Sequence, residues 1–352
     1  MSSAPASDLG DRFAPAILLH HESSLRHETG AHPEQPARIA AIELELKQRG
    51  LGGWERMQSA PVERAVLSAV HPDHHIERIE RASAAGARLD PDTVASPGSF
   101  EAALHACGGA VMLVDRLLDG SARTGFSIHR PPGHHAEQSA AMGFCLFNNI
   151  AVGARHALDA HGLERVLIVD WDVHHGNGTN DIFRVEPRVL FCSIHQSPLY
   201  PGTGPAADVG SGAGRGFTVN MPVAAGSGDL EFVSLVEHVV VPLARAYGPQ
   251  LVLVSAGFDA HVEDPLADCR VTEDGFAEMA RSLVRVAAEF GAPLGAVLEG
   301  GYALKALGRS VAATMEVLGA GVSGAAAVPR LEVADESVRY LERLRQFWPG
   351  LG

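Results

Sequence analysis

Between Arg165 and Gly178 four apolar residues, Val166-Leu-Ile-Val169, run directly into Asp170-Trp-Asp-Val-His-His-Gly-Asn-Gly178. A short apolar run rich in β-branched residues suits a strand covered on both faces, as in a parallel sheet. Asp170, Asp172 and His174 follow at spacing two, so an extended chain projects them to one side. Carboxylates and an imidazole at a buried strand end lose hydration and need a partner. A divalent cation supplies that partner for Asp172 and His174.

Other apolar strands are expected at Ala16–Leu19, Gly125–His129, Val189–His195, Phe217–Met221, Leu251–Ser255 and Leu294–Leu298, separated by helical stretches such as Phe100–Leu118, Asn148–His161, Leu230–Tyr247 and Phe276–Phe290. Strands alternating with helices of this length indicate an α/β fold with a mainly parallel sheet. No linker or repeat divides the chain, so residues 1–352 are expected to form one domain, with 1–14 as a loose tail. The glycine run Gly210–Gly216 lacks the Lys-Ser/Thr of a phosphate loop and precedes a strand, so it is an ordinary loop. His71, His74 and His75 sit among charged neighbours, with no strand to deliver them to a common point, and are expected on the surface.

His134-His135, the stretch Asp170–Asn177, Asp259 and Tyr302 each lie just beyond the carboxyl end of an apolar strand. In an open parallel sheet those ends share one edge, and ligands bind outside it. Asp172, His174 and Asp259 make a three-ligand set that leaves positions for water and a substrate oxygen, as catalytic zinc sites do. With two carboxylates it also suits iron(II), manganese or cobalt. His134 or His135 can move protons, Asp170 and Asn177 can orient the two rings, and the Tyr302 phenol can donate to an oxyanion. Taken singly, Asp259 could be a helix cap, the histidine pair a surface loop, and Tyr302 a half-buried tyrosine bonded to backbone. There is no Gly-x-Ser-x-Gly elbow to support a serine hydrolase.

Composition narrows the partners. The formal net charge of −14 argues against nucleic acid, whose binding rests on clustered Lys and Arg. Four cysteines with no Cys-x-x-Cys pair do not make a disulfide framework, which points to a reducing compartment. With no signal-peptide pattern at the N-terminus and no uninterrupted apolar run of membrane-spanning length, the expected location is cytoplasmic, with no membrane partner. Oligomeric state is not legible, and an oligomer remains open.

The motifs Arg130-Pro-Pro-Gly-His-His-Ala136, Asp170–Gly178, Ser255-Ala-Gly-Phe-Asp259 and Glu299-Gly-Gly-Tyr302 together resemble the histone deacetylase family, particularly its class II and bacterial amidohydrolase-like members. The resemblance covers about His20 to Leu304. It implies the arginase-deacetylase fold, one α/β domain with an eight-stranded parallel sheet, and zinc on Asp172, His174 and Asp259. By that similarity His135, oriented by Asn177, is the general base and acid, His134 paired with Asp170 acts electrostatically, and Tyr302 holds the oxyanion. Gly143, Phe144 and Tyr200 would wall a narrow channel, Asp92 would hold substrate backbone at its rim, and Arg38 would lie behind the metal near the acetate exit. A potassium site would use Asp170, Asp172, His174 and Ser193.

The implied reaction is removal of an acetyl or related acyl group from an acylated amine, with acetyl-lysine favoured. Family members specialised for acetylpolyamines carry an acidic gatekeeper seven residues after the last metal ligand, where this chain has Leu266. An acetylpolyamine or other small-amide deacetylase is the alternative. A ureohydrolase would need a second Asp where Gly257 stands, and a non-catalytic acyl-amine-binding protein would not need both histidines and the tyrosine.

Overall fold

The computed structural model describes residues 14–50, 53–324 and 333–351. The expected tail thus lies outside the described residues except for Ala14. The strands are β1 (Ala16–His20), β2 (Trp54–Gln58), β3 (Thr124–Ser127), β4 (Val166–Asp170), β5 (Val189–Gln196), β6 (Thr218–Val223), β7 (Leu251–Ala256) and β8 (Leu294–Leu298). They form one eight-stranded sheet in the order β2-β1-β3-β8-β7-β4-β5-β6, and every pairing is parallel.

Both faces of the sheet are covered. Along β4, Leu167 and Val169 enter one apolar core while Val166 and Ile168 enter the other. That division explains why the run is apolar at every position instead of alternating. Asp170, the last residue of β4, lies level with Ser193 of β5 and Ser255 of β7.

The strand order places the site. Because β3, β8, β7 and β4 are successive neighbours, the segments following them, which carry His134-His135, Tyr302, Asp259 and Asp172, leave the sheet side by side. Four motifs scattered over about half the chain are adjacent for that reason.

Two elements differ from the sequence expectation. β2, Trp-Glu-Arg-Met-Gln, went unrecognised because it is the sheet's edge, pairs on one side only and carries charged residues outward. The helix expected over Leu230–Tyr247 is interrupted: Asp229–Leu235 and Val241–Tyr247 are α-helical, and a π-helical turn, Val236–Val240, joins them. Pro242 cannot supply the N–H of a regular turn and its ring crowds the preceding one, which the wider turn relieves.

Candidate active site

The chain leaves its extended path as soon as β4 ends. Asp170 Oδ1 accepts the N–H of Asp172 at 3.1 Å, and Asp172 Oδ1 accepts the N–H of His174 at 2.9 Å. Each acid captures the backbone two residues on, so the grouping rests on successive Asx turns and not on continued strand alternation. His174 Nδ1 then lies 3.2 Å from Asp172 Oδ1 and 3.0 Å from Asp259 Oδ2. All three side chains are buried, and their ligand atoms fall within 4.8 Å of one another.

This donor set fits a divalent cation. Against the cost of burial, Asp172 and Asp259 hold the His174 proton affinity up at about 10, and the same negative field favours a cation in place of the proton. Backbone is packed tightly behind the acids. A Cβ built on Gly257 would lie 2.0 Å from Asp172 Oδ2, and one on Gly300 2.1 Å from Asp259 Oδ2. A second carboxylate at position 257 therefore has no room, and a two-metal centre of the ureohydrolase kind does not fit. Gly300 also donates its N–H to Asp172 Oδ2 at 2.8 Å, and Val173 donates to Asp259 Oδ1 at 2.8 Å.

The two histidines are held differently. His134 Nδ1 lies 3.0 Å from Asp170 Oδ2. Although burial opposes it, the Asp172 and Asp170 charges hold the His134 proton affinity well above the usual range. His135 Nδ1 lies 2.8 Å from Asn177 Oδ1. The Asn177 amide nitrogen donates to Glu137 Oε1 at 2.9 Å, which turns its oxygen toward the ring. His135 Nδ1 is therefore the N–H donor, and Nε2 is left with its lone pair. Burial, with the charges of His134 and His174, pushes His135 well below the usual histidine range.

A cavity of about 360 Å³ opens over these groups, lined by His32, Asp92, His135, Gly143, Phe144, His174, Tyr200, Leu266 and Tyr302 among others. The Tyr200 ring stands edge-on to His135 at 5.2 Å, and Phe144 edge-on to Tyr302 at 5.7 Å. Phe144 is the one described non-glycine residue with positive φ, at 70°, a conformation that a bulky side chain adopts only when its surroundings impose it. Gly143, at φ 55°, and Phe144 are the two central residues of a tight turn whose flanking Met142 and Cys145 exchange backbone hydrogen bonds at 3.2 and 2.9 Å, and the Phe144 N–H also donates to Thr93 Oγ1 at 3.2 Å. At Gly143 a Cβ would meet His135 Cδ2 at 2.4 Å, so only glycine lets the loop approach the ring.

Arg38 is not part of the cavity wall. It lies fully buried beneath Tyr302, its Cζ 5.1 Å from the ring centroid, and donates to Gly301 O at 2.7 Å and Glu299 O at 2.5 Å. Ser193 Oγ faces His195 Nδ1 at 2.9 Å.

Several participants went unrecognised in the sequence. Glu299 is buried, accepts the N–H groups of Gly133 at 2.6 Å and His134 at 3.1 Å, and is pushed by burial up to about 7. Its place inside a strand-end motif was the available signal. Asp264 carries the backbone of Tyr302 and had no such signal.

The expectation that His71, His74 and His75 lie on the surface holds for His74 alone, since His71 and His75 are fully buried. His71 Nε2 accepts the N–H of Asn148 at 2.9 Å and its Nδ1 donates to Gln138 O at 3.0 Å, while His75 Nε2 donates to Leu146 O at 3.0 Å. The two rings clamp the loop that carries Gly143 and Phe144. Their charged sequence neighbours occupy the outer face of helix Asp73–Ala85, which sequence inspection could not separate from its inner face.

The histone deacetylase domain model matches residues 32–318. The chain belongs to the histone deacetylase family. As a member of that family it is a hydrolase acting on amide bonds. It is 40% identical over 330 residues to Histone deacetylase 14, chloroplastic, of Arabidopsis thaliana, spanning 87% of this chain and 78% of that one. It is 41% identical over 276 residues to the histone deacetylase-like amidohydrolase of Pseudomonas aeruginosa, spanning 77% and 72%. The crystal structure of the HDA15 HD domain superposes with a TM-score of 0.88 at 37% identity, covering 96% of each chain. The family match and the parallel sheet agree with the arginase-deacetylase architecture.

Proposed function

We propose that this histone deacetylase-family chain is a zinc-dependent amidohydrolase that removes acetyl groups from acylated lysine, releasing acetate and the free amine. The observation that carries this reading is the meeting of Asp172, His174 and Asp259, with His174 lining the same cavity as His135 and Tyr302. Zinc held there would supply a Lewis acid for the acyl carbonyl. Iron(II) or another divalent ion suits the same donors.

The remaining chemistry belongs to side chains. His135 Nε2 carries the lone pair, because Asn177 occupies Nδ1, and takes a proton from the attacking water. The same ring returns that proton to the departing amine. His134, whose proton affinity the Asp172 and Asp170 charges hold up against burial, stabilises the negative charge that develops nearby. Tyr302 donates its phenolic hydrogen to the oxyanion: burial keeps it protonated far above neutral pH, with the Asp259 charge acting in the same sense.

Phe144, Tyr200 and Leu266 form an apolar sleeve for an aliphatic side chain, and the exposed Asp92 stands at the rim to accept from substrate backbone. Leu266 offers no carboxylate to a second ammonium group, which favours acyl-lysine over acetylpolyamines. Arg38, buried beneath Tyr302, is the residue we assign to the path of departing acetate. Asp170, Asp172, His174 and Ser193 form our candidate potassium site.

The four cysteines are free and buried, in keeping with a reducing, cytoplasmic setting, and no described helix is long and apolar enough to cross a membrane. The deciding experiment compares acetate release from acetyl-lysine peptides and from acetylpolyamines, before and after chelation and zinc restoration. Preference for polyamines refutes the substrate assignment, and turnover indifferent to chelation refutes the metal.

A further inference from the structure

Away from the cavity, three side chains from three segments converge on one point. His156 Nε2 and His161 Nε2 each lie 2.7 Å from the same oxygen, Asp115 Oδ1. Asp115 is in the last turn of helix Ser99–Leu118, His156 in the last turn of helix Asn149–Asp159, and His161 in the loop beyond it. We propose that Asp115, His156 and His161 bind a transition-metal cation such as zinc, independent of the active site, that fastens the ends of these two helices together.

Three observations support the assignment. Two imidazoles and a carboxylate, their ligand atoms within 4.8 Å of one another, form a borderline donor set suited to zinc, copper, nickel or cobalt. Asp115 and His156 both stand in the last turn of their helices, where the negative end of each helix dipole favours a cation. Asp119, one turn beyond Asp115, adds negative charge near His161.

The simpler explanation is that both rings donate N–H to Asp115. The hydrogen bonding does not lock that arrangement. Among the described residues neither ring has a protein partner at Nδ1, so either can carry its proton there and free Nε2 for a metal. His71, with both nitrogens committed to backbone, lacks that freedom. The cluster is also reachable, with side-chain exposures of 45% for Asp115, 14% for His156 and 28% for His161. Three protein ligands leave a position for water.

The test is a difference in metal stoichiometry. Metal-free natural chain and the His156→Asn/His161→Asn variant are titrated with Zn2+ against a chromophoric chelator at pH 7.5. The variant is expected to bind one equivalent fewer while deacetylating at the natural rate. His161→Gln alone, which removes one of the three direct ligands, is expected to weaken that one equivalent by more than the roughly 10–100-fold that loss of an outer-shell partner costs. Equal stoichiometry in natural and double-variant chains overturns the proposal, whatever the ion count at Asp172 proves to be.

Discussion

Asp264 Oδ2 accepts the backbone N–H of Tyr302 at 2.7 Å and that of Ala303 at 3.2 Å, while its Oδ1 accepts that of Leu266 at 3.0 Å. One carboxylate therefore ties the loop after Asp259 to the loop that presents the tyrosine. Burial and the Asp259 charge raise its pKa to about 7, so its three backbone donors hold a costly group in place. Removing it frees Tyr302 to move without touching the substrate. Asp264→Ala is expected to lower kcat about 100-fold, the scale of an ångström-sized misplacement, with KM nearly unchanged. Steady-state kinetics on acetyl-lysine peptide decide, and a kcat within threefold of the natural value would refute the role.

Tyr302→Phe keeps the ring against Phe144 and above Arg38 and deletes only the donor. Loss of one oxyanion donor costs about 10²–10³ in kcat. Binding of an uncleaved acyl-lysine analogue should stay within a few-fold, so calorimetry beside kinetics separates lost chemistry from lost fit.

The pocket loop gives stability a defined pH dependence. Burial, reinforced by the charge of His75, lowers His71 from 6.5 to about 3. The folded chain thus holds His71 neutral where the unfolded chain would protonate it. Stability from this group is complete above pH 6.5 and falls as pH drops toward 3, at about 1.4 kcal/mol per pH unit. His71→Gln can keep both backbone contacts without titrating. Between pH 7.5 and 5.0 the natural chain should lose about 2 kcal/mol more than this variant, measured by urea unfolding. Equal losses would exclude His71 as a source of acid sensitivity.

Leu266 lines the cavity where an acid would meet a second ammonium. Leu266→Glu places that charge at the wall, and about 1–2 kcal/mol of attraction corresponds to a shift of roughly 10-fold. The ratio of acetylspermidine to acetyl-lysine turnover is expected to rise by that factor. An unchanged ratio would show that another part of the rim sets the preference.

Gly257 has Asp172 Oδ2 where a side chain would begin. Gly257→Ala is expected to displace the acid and weaken zinc at least 10-fold, read by chelator competition, with turnover restored only in excess zinc.

The active-site motifs were legible because their constraints are local. A doubly buried strand must be apolar throughout, and acids or imidazoles directly after it need a partner, so Val166–Val169 with Asp172 and His174 declares itself in one dimension. What the residues alone left open was which of them leave the sheet side by side, and strand order answers that. Asp259 follows β7, which lies beside β4, and Tyr302 follows β8, which lies beside β7, and neither adjacency can be read from the spacing along the chain. Burial that depends on a distant partner was not legible. His71 and His75 share their stretch with charged residues, and only the docked loop 138–148 shows which side of the helix faces inward. Asp264 is one acid among many until Tyr302 arrives from 38 residues away. Sequence thus determined which groups could carry the chemistry, because spacing and hydrophobicity act along the chain. The tertiary structure alone decided which buried groups hold them in position, because those contacts join segments whose separation leaves no periodic trace.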